Sequence, residues 1–133
     1  MSYQCIDTAK QKRGHRMEFN EKTPIYLQVI SYIETLILTE EWQLQEKVPS
    51  VREFSKMLLI NPGTVQKAYA DLEKRQLLIT IRGIGKQVTD QKQRIQQLRE
   101  NRLNEQLSLF HKEMKQLGIE KESIIKKIQH LEW

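Results

Sequence analysis

Two helix-start signals lie close together near the middle of this chain. Ser50 and Glu53 form an S-x-x-E capping box, in which each side chain can satisfy a backbone amide of the other residue. Asn61 and Pro62 form the second signal, because asparagine is a favoured N-cap and proline lacks the amide that a helix start leaves unpaired. The residue before a proline is disfavoured in a helix, so the first helix must end before Pro62 and a turn of about three residues must follow. This spacing predicts two helices joined by a sharp turn, the second running to Gln76.

A longer helix is predicted in front of this pair. Pro24 marks its start, and apolar residues then recur at three- and four-residue steps over about 15 residues. Three helices in this order, the last two tightly joined, make a helix-turn-helix arrangement. The apolar residues expected to face a core are Ile25, Tyr26, Val29, Ile30, Ile33, Leu36 and Ile37.

The helix that begins at Pro62 has two distinct faces. At about 100 degrees per residue, one face collects the apolar side chains Val65, Ala68, Tyr69 and Leu72. The opposite face carries small, amide and ammonium groups, namely Gly63, Gln66, Lys67, Ala70 and Lys74. Such a face can approach a DNA groove and contact bases and phosphates, but a plain solvated face has the same composition.

The segment LLITIRGIGKQV, at residues 77–88, predicts a two-stranded hairpin. Ile79 and Ile81 alternate with polar residues before a glycine-bearing turn. A hairpin directly after such a helix is a wing. Its glycines can simply permit a surface turn, yet positive side chains beside them also suit a narrow groove or its phosphates. The residues placed at the tip are Arg82, Gly83, Gly85 and Lys86.

Charge is unevenly distributed along the chain. The formal net charge is +5 over 133 residues. Residues 34–46 contain carboxylates and no lysine or arginine, whereas residues 47–86 are predominantly basic. Because many solvated surfaces carry such an excess, charge by itself leaves nucleic-acid binding and an ordinary surface equally open.

The length permits one small domain with an appendage. Residues 1–20 are polar and basic, so we predict a flexible arm there; they lack the pattern of a secretory leader, and we expect a cytoplasmic protein. No run reaches the roughly 18 apolar residues of a spanning helix, so no membrane partner is predicted. The single cysteine, Cys5, excludes a disulfide within the chain.

No catalytic constellation is present in the sequence. His15, His111 and His130 lie in segments of different predicted role, without the partner spacing of a metal site. The RGIGK stretch lacks the spacing of a phosphate-binding loop. We therefore predict no enzyme activity, no metal and no cofactor.

Four motifs in this order resemble the GntR family of bacterial transcriptional regulators. They are PIYLQVISYIETLI at residues 24–37, VPSVREFSKML at 48–58, INPGTVQKAYADLEKRQLL at 60–78 and IRGIGKQV at 81–88. The resemblance covers about half of the chain, and the combination is far more specific than any one motif. It implies a winged helix-turn-helix domain, at residues 21–90, that binds operator DNA as a dimer.

The resemblance also implies which residues contact DNA. Arg52 and Thr64 are expected to hold phosphates, and Gln66 and Lys67 are the candidates for reading bases, since an amide can address adenine and an ammonium can reach guanine acceptors. The complete predicted interface is Arg52, Asn61, Gly63, Thr64, Gln66, Lys67, Arg82, Gly83, Gly85 and Lys86.

The chain departs from the family pattern at positions where glycine is usual. Glu40, Glu41 and Trp42 follow the first helix, and Glu46 and Val48 precede the PSVRE segment. After the third helix the usual Glu-Gly dipeptide is replaced by residues 75–76, Arg-Gln, so the helix must end without glycine. These changes affect turns and packing more than the predicted DNA face.

Residues 91–133 read as a helical hairpin with a break at Gly118. Two helices cannot bury their apolar stripes alone, so a second copy of the chain is the simplest cover, with packing back onto the winged domain as the alternative. The predicted dimerisation residues are Ile95, Leu98, Leu103, Leu107, Phe110, Met114, Leu117, Ile124, Ile128 and Leu131.

The fold class predicted is therefore mainly α with a small β wing, followed by a helical hairpin for dimerisation. So short a tail resembles the YtrA-like branch of the family, which implies a repressor of a palindromic operator, often beside ABC transporter genes. No residue identifies a small-molecule effector. The alternative from another class is a helical adaptor protein whose winged domain binds protein.

Overall fold

The computed structural model describes residues 17–133. The described chain divides into two compact units, with the boundary between Gln96 and Gln97. The elements in chain order are α1 (Ile25–Leu38), α2 (Val51–Leu58), α3 (Pro62–Lys74), β1 (Leu78–Ile81), β2 (Gly85–Val88), α4 (Lys92–Gln116) and α5 (Lys121–Gln129). This order confirms the predicted winged helix-turn-helix followed by C-terminal helices.

Both predicted helix starts are present. The Ser50 hydroxyl accepts a hydrogen bond of 3.1 Å from the Glu53 amide, and the Glu53 carboxylate accepts one of 3.3 Å from the Ser50 amide. These bonds, helped by the charge of Lys47, lower the pKa of Glu53. At the start of α3, the Asn61 side-chain oxygen accepts a bond of 2.7 Å from the Gly63 amide.

The core of the first unit forms where α1, α2 and α3 pack together. α3 packs against both α1 and α2, and its predicted apolar face, Val65, Ala68, Tyr69 and Leu72, is completely buried. The Phe54 ring of α2 lies between three other aromatic rings, at centroid distances of 6.5 Å to Tyr32, 5.3 Å to Trp42 and 5.9 Å to Tyr69. This cluster fixes α2 against the two longer helices.

The wing is held along both edges of β2. On one edge β1 pairs with β2 antiparallel, in the register Leu78 with Val88 and Ile81 with Gly85. On the other edge the Val48 amide donates to the Lys86 carbonyl oxygen, and the Val88 amide donates to the Glu46 carbonyl oxygen, both at 3.0 Å. The segment that leads into α2 therefore acts as a third, very short strand, which the sequence did not predict.

The turns without glycine adopt the geometry that glycine usually supplies. Glu40, Gln45 and Gln76 have φ angles of 62°, 63° and 60°, in the left-handed region. At Gln76 this ends α3 at Lys74, earlier than predicted, and the Leu77 amide then donates to the Leu72 carbonyl oxygen at 2.9 Å. Helix α3 therefore ends in a Schellman motif, with glutamine at the position that glycine usually occupies.

The second unit contains most of α4 and all of α5, joined through Gly118, whose φ is 71°. Of the predicted dimerisation residues, Leu98 is buried and Ile95, Met114 and Ile124 are half-buried. The rest are exposed within the single chain: Leu103, Leu107, Phe110, Leu117, Ile128 and Leu131. Among residues 17–133, no helix is long and apolar enough to span a membrane.

Candidate nucleic-acid interface

The first turns of α3 bring together five of the predicted contact residues. Asn61, Gly63, Gln66 and Lys67 are exposed, and Thr64 is half-buried. They surround the amino terminus of the helix, where the partial positive charge of the helix dipole favours a phosphate. The buried opposite face of α3 holds this end in place, so the exposed end is rigid enough to enter a groove.

Asn61 and Gly63 are linked by the helix cap. The Asn61 side chain is the N-cap, so its oxygen is already engaged by the Gly63 amide. A Cβ atom added to Gly63 would lie 3.0 Å from that same oxygen. The absence of a side chain at Gly63 therefore serves the cap as well as any close approach to DNA.

Lys67 does not extend freely into solvent. Its ammonium nitrogen lies 3.8 Å from the centroid of the Tyr26 ring, which belongs to the first turn of α1. Tyr26 is half-buried, so it does not lie in the core as its place in the apolar pattern predicted. The contact joins the predicted base-reading residue to a ring that no local sequence pattern relates to DNA binding.

The wing tip is built around two glycines. Gly83 and Gly85 have φ angles of 82° and 118°, which residues with a side chain rarely adopt. The turn from Ile81 to Ile84 closes with a hydrogen bond of 3.0 Å from the Ile84 amide to the Ile81 carbonyl oxygen. Arg82 and Ile84 are exposed on this turn.

The predicted place of Lys86 at the wing tip is wrong, because Lys86 lies in β2. Its half-buried ammonium donates to the Glu73 carboxylate at 2.8 Å and to the Thr80 hydroxyl at 3.0 Å, and Thr80 also donates to Glu73. The hydrogen bonds from Lys86 and Thr80, with the charge of Lys86, lower the pKa of Glu73. This cluster ties the wing to α3.

Arg52 is exposed on the first turn of α2. The segment just before this helix is hydrogen-bonded to α3. The buried Tyr69 hydroxyl donates a hydrogen bond of 2.7 Å to the Pro49 carbonyl oxygen. Burial, together with the charge of Glu53, raises the pKa of Tyr69. The hydroxyl stays protonated, and its hydrogen bond links α3 to the segment just before α2.

The first and third helices, α1 and α3, are also joined by an ion-pair network. Arg75, just after α3, donates to Glu34 of α1 at 2.8 Å and to Asp71 of α3 at 2.9 Å.

Cys5 and His15 lie outside the described residues. Within residues 17–133, no group of three or more histidine or carboxylate side chains is arranged to hold a metal ion.

Comparison with known proteins gives the family. The model of "Bacterial regulatory proteins, gntR family" matches residues 25–88, from the start of α1 to the end of β2. The chain is also 32% identical over 112 residues to the HTH-type transcriptional regulator YhcF of Bacillus subtilis, covering 84% of this chain and 93% of that protein. The chain belongs to the GntR family.

Two further relatives of this GntR-family chain are informative. The HTH-type transcriptional repressor YtrA of Bacillus subtilis is 40% identical over 68 residues, which cover 51% of this chain and 52% of YtrA. A solved GntR family transcriptional regulator from Listeria monocytogenes has a TM-score of 0.79 and 41% identity, covering 86% of this chain and 100% of that structure. The predicted family and its YtrA-like character are confirmed.

Membership of the GntR family settles the general activity. The chain is a DNA-binding transcriptional regulator and not an enzyme. The winged domain contains the elements typical of such a regulator: a helix α3 with an exposed amino terminus, and a wing with a glycine-bearing tip and an arginine.

Proposed function

We propose that this regulator is a repressor that binds a palindromic operator as a homodimer, with α3 of each protomer in one major groove half-site. The observation that carries the proposal is the exposed amino-terminal face of α3, which combines a helix end, an amide and an ammonium group. The repressor role is supported by similarity to YtrA, which is itself named a transcriptional repressor.

The interface we propose has three parts with different tasks. Arg52 and Thr64 hold phosphates, and Gln66 and Lys67 read bases from the first turns of α3. Arg82 and the glycines of the wing tip lie along the neighbouring minor groove. Asn61 and Gly63 shape the start of α3, and Lys86 anchors the wing through Glu73.

The homodimer is proposed from the apolar surface of the tail, residues 91–133. Leu103, Leu107, Phe110, Met114 and Leu117 follow one another at alternating steps of four and three residues along α4, which is the spacing of a coiled-coil seam. A single chain leaves Leu107 50% and Leu117 63% exposed. A second copy would cover this seam and would place two recognition helices on one duplex.

The regulated genes are proposed from the family resemblance alone. YtrA-like regulators are often associated with ABC transporter operons, and we propose a target of that kind for this chain. Because such a regulator works on bacterial DNA, its proposed site of action is the cytoplasm.

Residues 1–20 are proposed as a basic arm, although the backbone and side chain of Asn20 are already hydrogen-bonded to Gln28, Lys22 and Thr23.

Selection from a pool of random DNA duplexes tests this proposal. The full-length chain should enrich an inverted repeat whose half-site centres lie about one helical turn, roughly 10 base pairs, or a multiple of it apart. When the logarithm of the affinity for the selected duplex is plotted against the logarithm of the salt concentration, the line should fall with a slope of about 0.9 per phosphate contact. Enrichment of a single unrepeated site would contradict the dimeric arrangement, and binding indifferent to salt would favour the adaptor protein.

A further inference from the structure

Lys67 and Tyr26 meet at the edge of the proposed interface, from two different helices. The Lys67 ammonium lies 3.8 Å from the Tyr26 ring centroid, inside the range of a cation–π interaction. α1 packs against α3, so the ring is carried by an element that is fixed relative to the recognition helix. Lys67 is nevertheless exposed, and Tyr26 is half-buried.

An aromatic ring holds a lysine in a different way from a carboxylate. The ring face attracts the ammonium through its quadrupole but carries no net charge, so the lysine keeps its full positive charge for another partner. Lys86 illustrates the opposite case, because its ammonium is paired with the Glu73 carboxylate. The neighbour of Lys67 is an uncharged ring, so the positive charge of Lys67 is not neutralised by that contact.

Ordering a lysine side chain has an entropic cost, because its long stem has many rotamers. A ring that already restricts the ammonium to one region reduces the cost of the next contact. An ammonium has three N–H donors, and its exposure leaves room for a base or phosphate oxygen on the side away from the ring.

We propose that Tyr26 is a positioning residue for DNA recognition, whose ring holds the Lys67 ammonium at the edge of the recognition helix for contact with the operator. This inference rests on the proposed DNA contact of Lys67. It extends the specificity surface to the first turn of α1, an element that otherwise serves the core. The Tyr26 hydroxyl has no part in it.

A double-mutant cycle on the full-length chain tests the inference. The probe is the highest-affinity duplex recovered from the random pool, and the variants are Tyr26→Leu, Lys67→Met and the two combined. We expect Tyr26→Leu to weaken binding about two- to fivefold, the range of an exposed cation–π contact. In the Lys67→Met background the same change should have no further effect.

Two control variants isolate the contribution of the ring. Tyr26→Phe keeps the ring without the hydroxyl and should bind the duplex like the wild type. Lys74→Met removes an exposed lysine from the same face of α3, and its effect should add to that of Tyr26→Leu. Thermal unfolding of each variant, followed by circular dichroism, shows whether the fraction folded at the assay temperature is unchanged.

Several outcomes would overturn the inference. Additive losses in the Tyr26–Lys67 cycle would show that the ring and the ammonium act independently. Tighter binding by Tyr26→Leu would mean that the ring withholds Lys67 from DNA, and an equal loss in Tyr26→Phe would assign the effect to the hydroxyl. Wild-type affinity in Lys67→Met would remove the contact on which the inference rests, whereas failure of the wild type to select any duplex would refute the proposed function itself.

Discussion

The Tyr69 hydroxyl of α3 donates a hydrogen bond of 2.7 Å to the carbonyl oxygen of Pro49, one residue before the capping box of α2. We predict that Tyr69→Phe lowers the free energy of unfolding by about 1 kcal/mol, because the carbonyl oxygen loses its partner while the ring packing remains. Urea denaturation measures this change. An unchanged midpoint and slope would show that water replaces the hydroxyl at no cost.

Gln66 and Arg52 should affect DNA binding in different ways. Gln66→Ala should cost about 1–3 kcal/mol, and only against the operator base pair that it reads. Arg52→Ala should weaken binding to selected and random duplexes alike, and reduce the salt slope by about 0.9, because a phosphate contact is lost. Equilibrium titrations at several salt concentrations distinguish the two. Equal weakening of Gln66→Ala on random DNA would contradict base reading.

Gln76 occupies a left-handed position that glycine would adopt without a clash. The Cβ clash costs about 1–2 kcal/mol, and the extra freedom of glycine in the unfolded chain offsets part of it. We therefore expect Gln76→Gly to raise the free energy of unfolding by roughly 0.5–1 kcal/mol. Gln76→Ala is the matched control, since it removes the rest of the side chain and keeps the Cβ atom. Denaturation curves that do not separate glycine from alanine would contradict a role for the Cβ clash.

Glu73 should make the stability of the winged domain dependent on pH. Its pKa lies below the ordinary value of 4.5 in the folded chain, so its carboxylate stabilises the fold above that pH and loses the effect as the pH falls through the lowered pKa. Glu73→Gln should therefore be less stable than the wild type by under about 1 kcal/mol at neutral pH, and the difference should shrink in acid.

Urea unfolding of Glu73→Gln at about pH 7 and about pH 3 measures this dependence. Glu105→Gln, at an exposed position of α4, is the control that should show little difference at either pH. Lys86→Met should lower the free energy of unfolding at neutral pH as Glu73→Gln does. It should leave the dependence of DNA affinity on salt concentration unchanged. A lower salt slope in Lys86→Met would return Lys86 to the phosphate contacts.

The seam of α4 predicts a variant that separates the protomers. Leu107→Glu would bury an unpaired carboxylate in the proposed interface, at a cost of several kcal/mol, so this variant should be a monomer with much weaker operator binding. Ser108→Glu adds the same charge at the next position, off the seam, and should remain a dimer. Sedimentation equilibrium at micromolar concentration measures the mass. A dimeric Leu107→Glu would exclude this seam.

The local signals of the sequence predicted most of the winged domain. The capping box at Ser50, the Asn61 cap and the alternation before Gly83 depend on residues within a few positions of one another, so they can be recognised without knowing the fold. The buried face of α3 was predicted for the same reason. The end of α3 was placed too late because glutamine at Gln76 gives no sign of a left-handed residue.

The features that the sequence did not predict depend on residues far apart in the chain. Lys86 was predicted at the wing tip because its partner cannot be recognised from the sequence. Glu73 is distant along the chain and lies beside Lys86 only after folding. The edge pairing of residues 46–48 with β2 and the contact of Tyr26 with Lys67 likewise join segments that no local pattern relates. Short-range periodicity determines elements, whereas side-chain partners follow from how those elements pack.

The strand pairing of the wing ends at Ile81 and Gly85, and the turn between them is closed by a main-chain bond from the Ile84 amide. That bond needs no particular side chain at residues 82 and 84, while Gly83 and Gly85 are restricted by their positive φ angles. The side chains at those two exposed positions can therefore change with little effect on folding. If the wing contacts DNA as proposed, the side chains at these two positions can alter operator preference while the backbone of the wing stays the same.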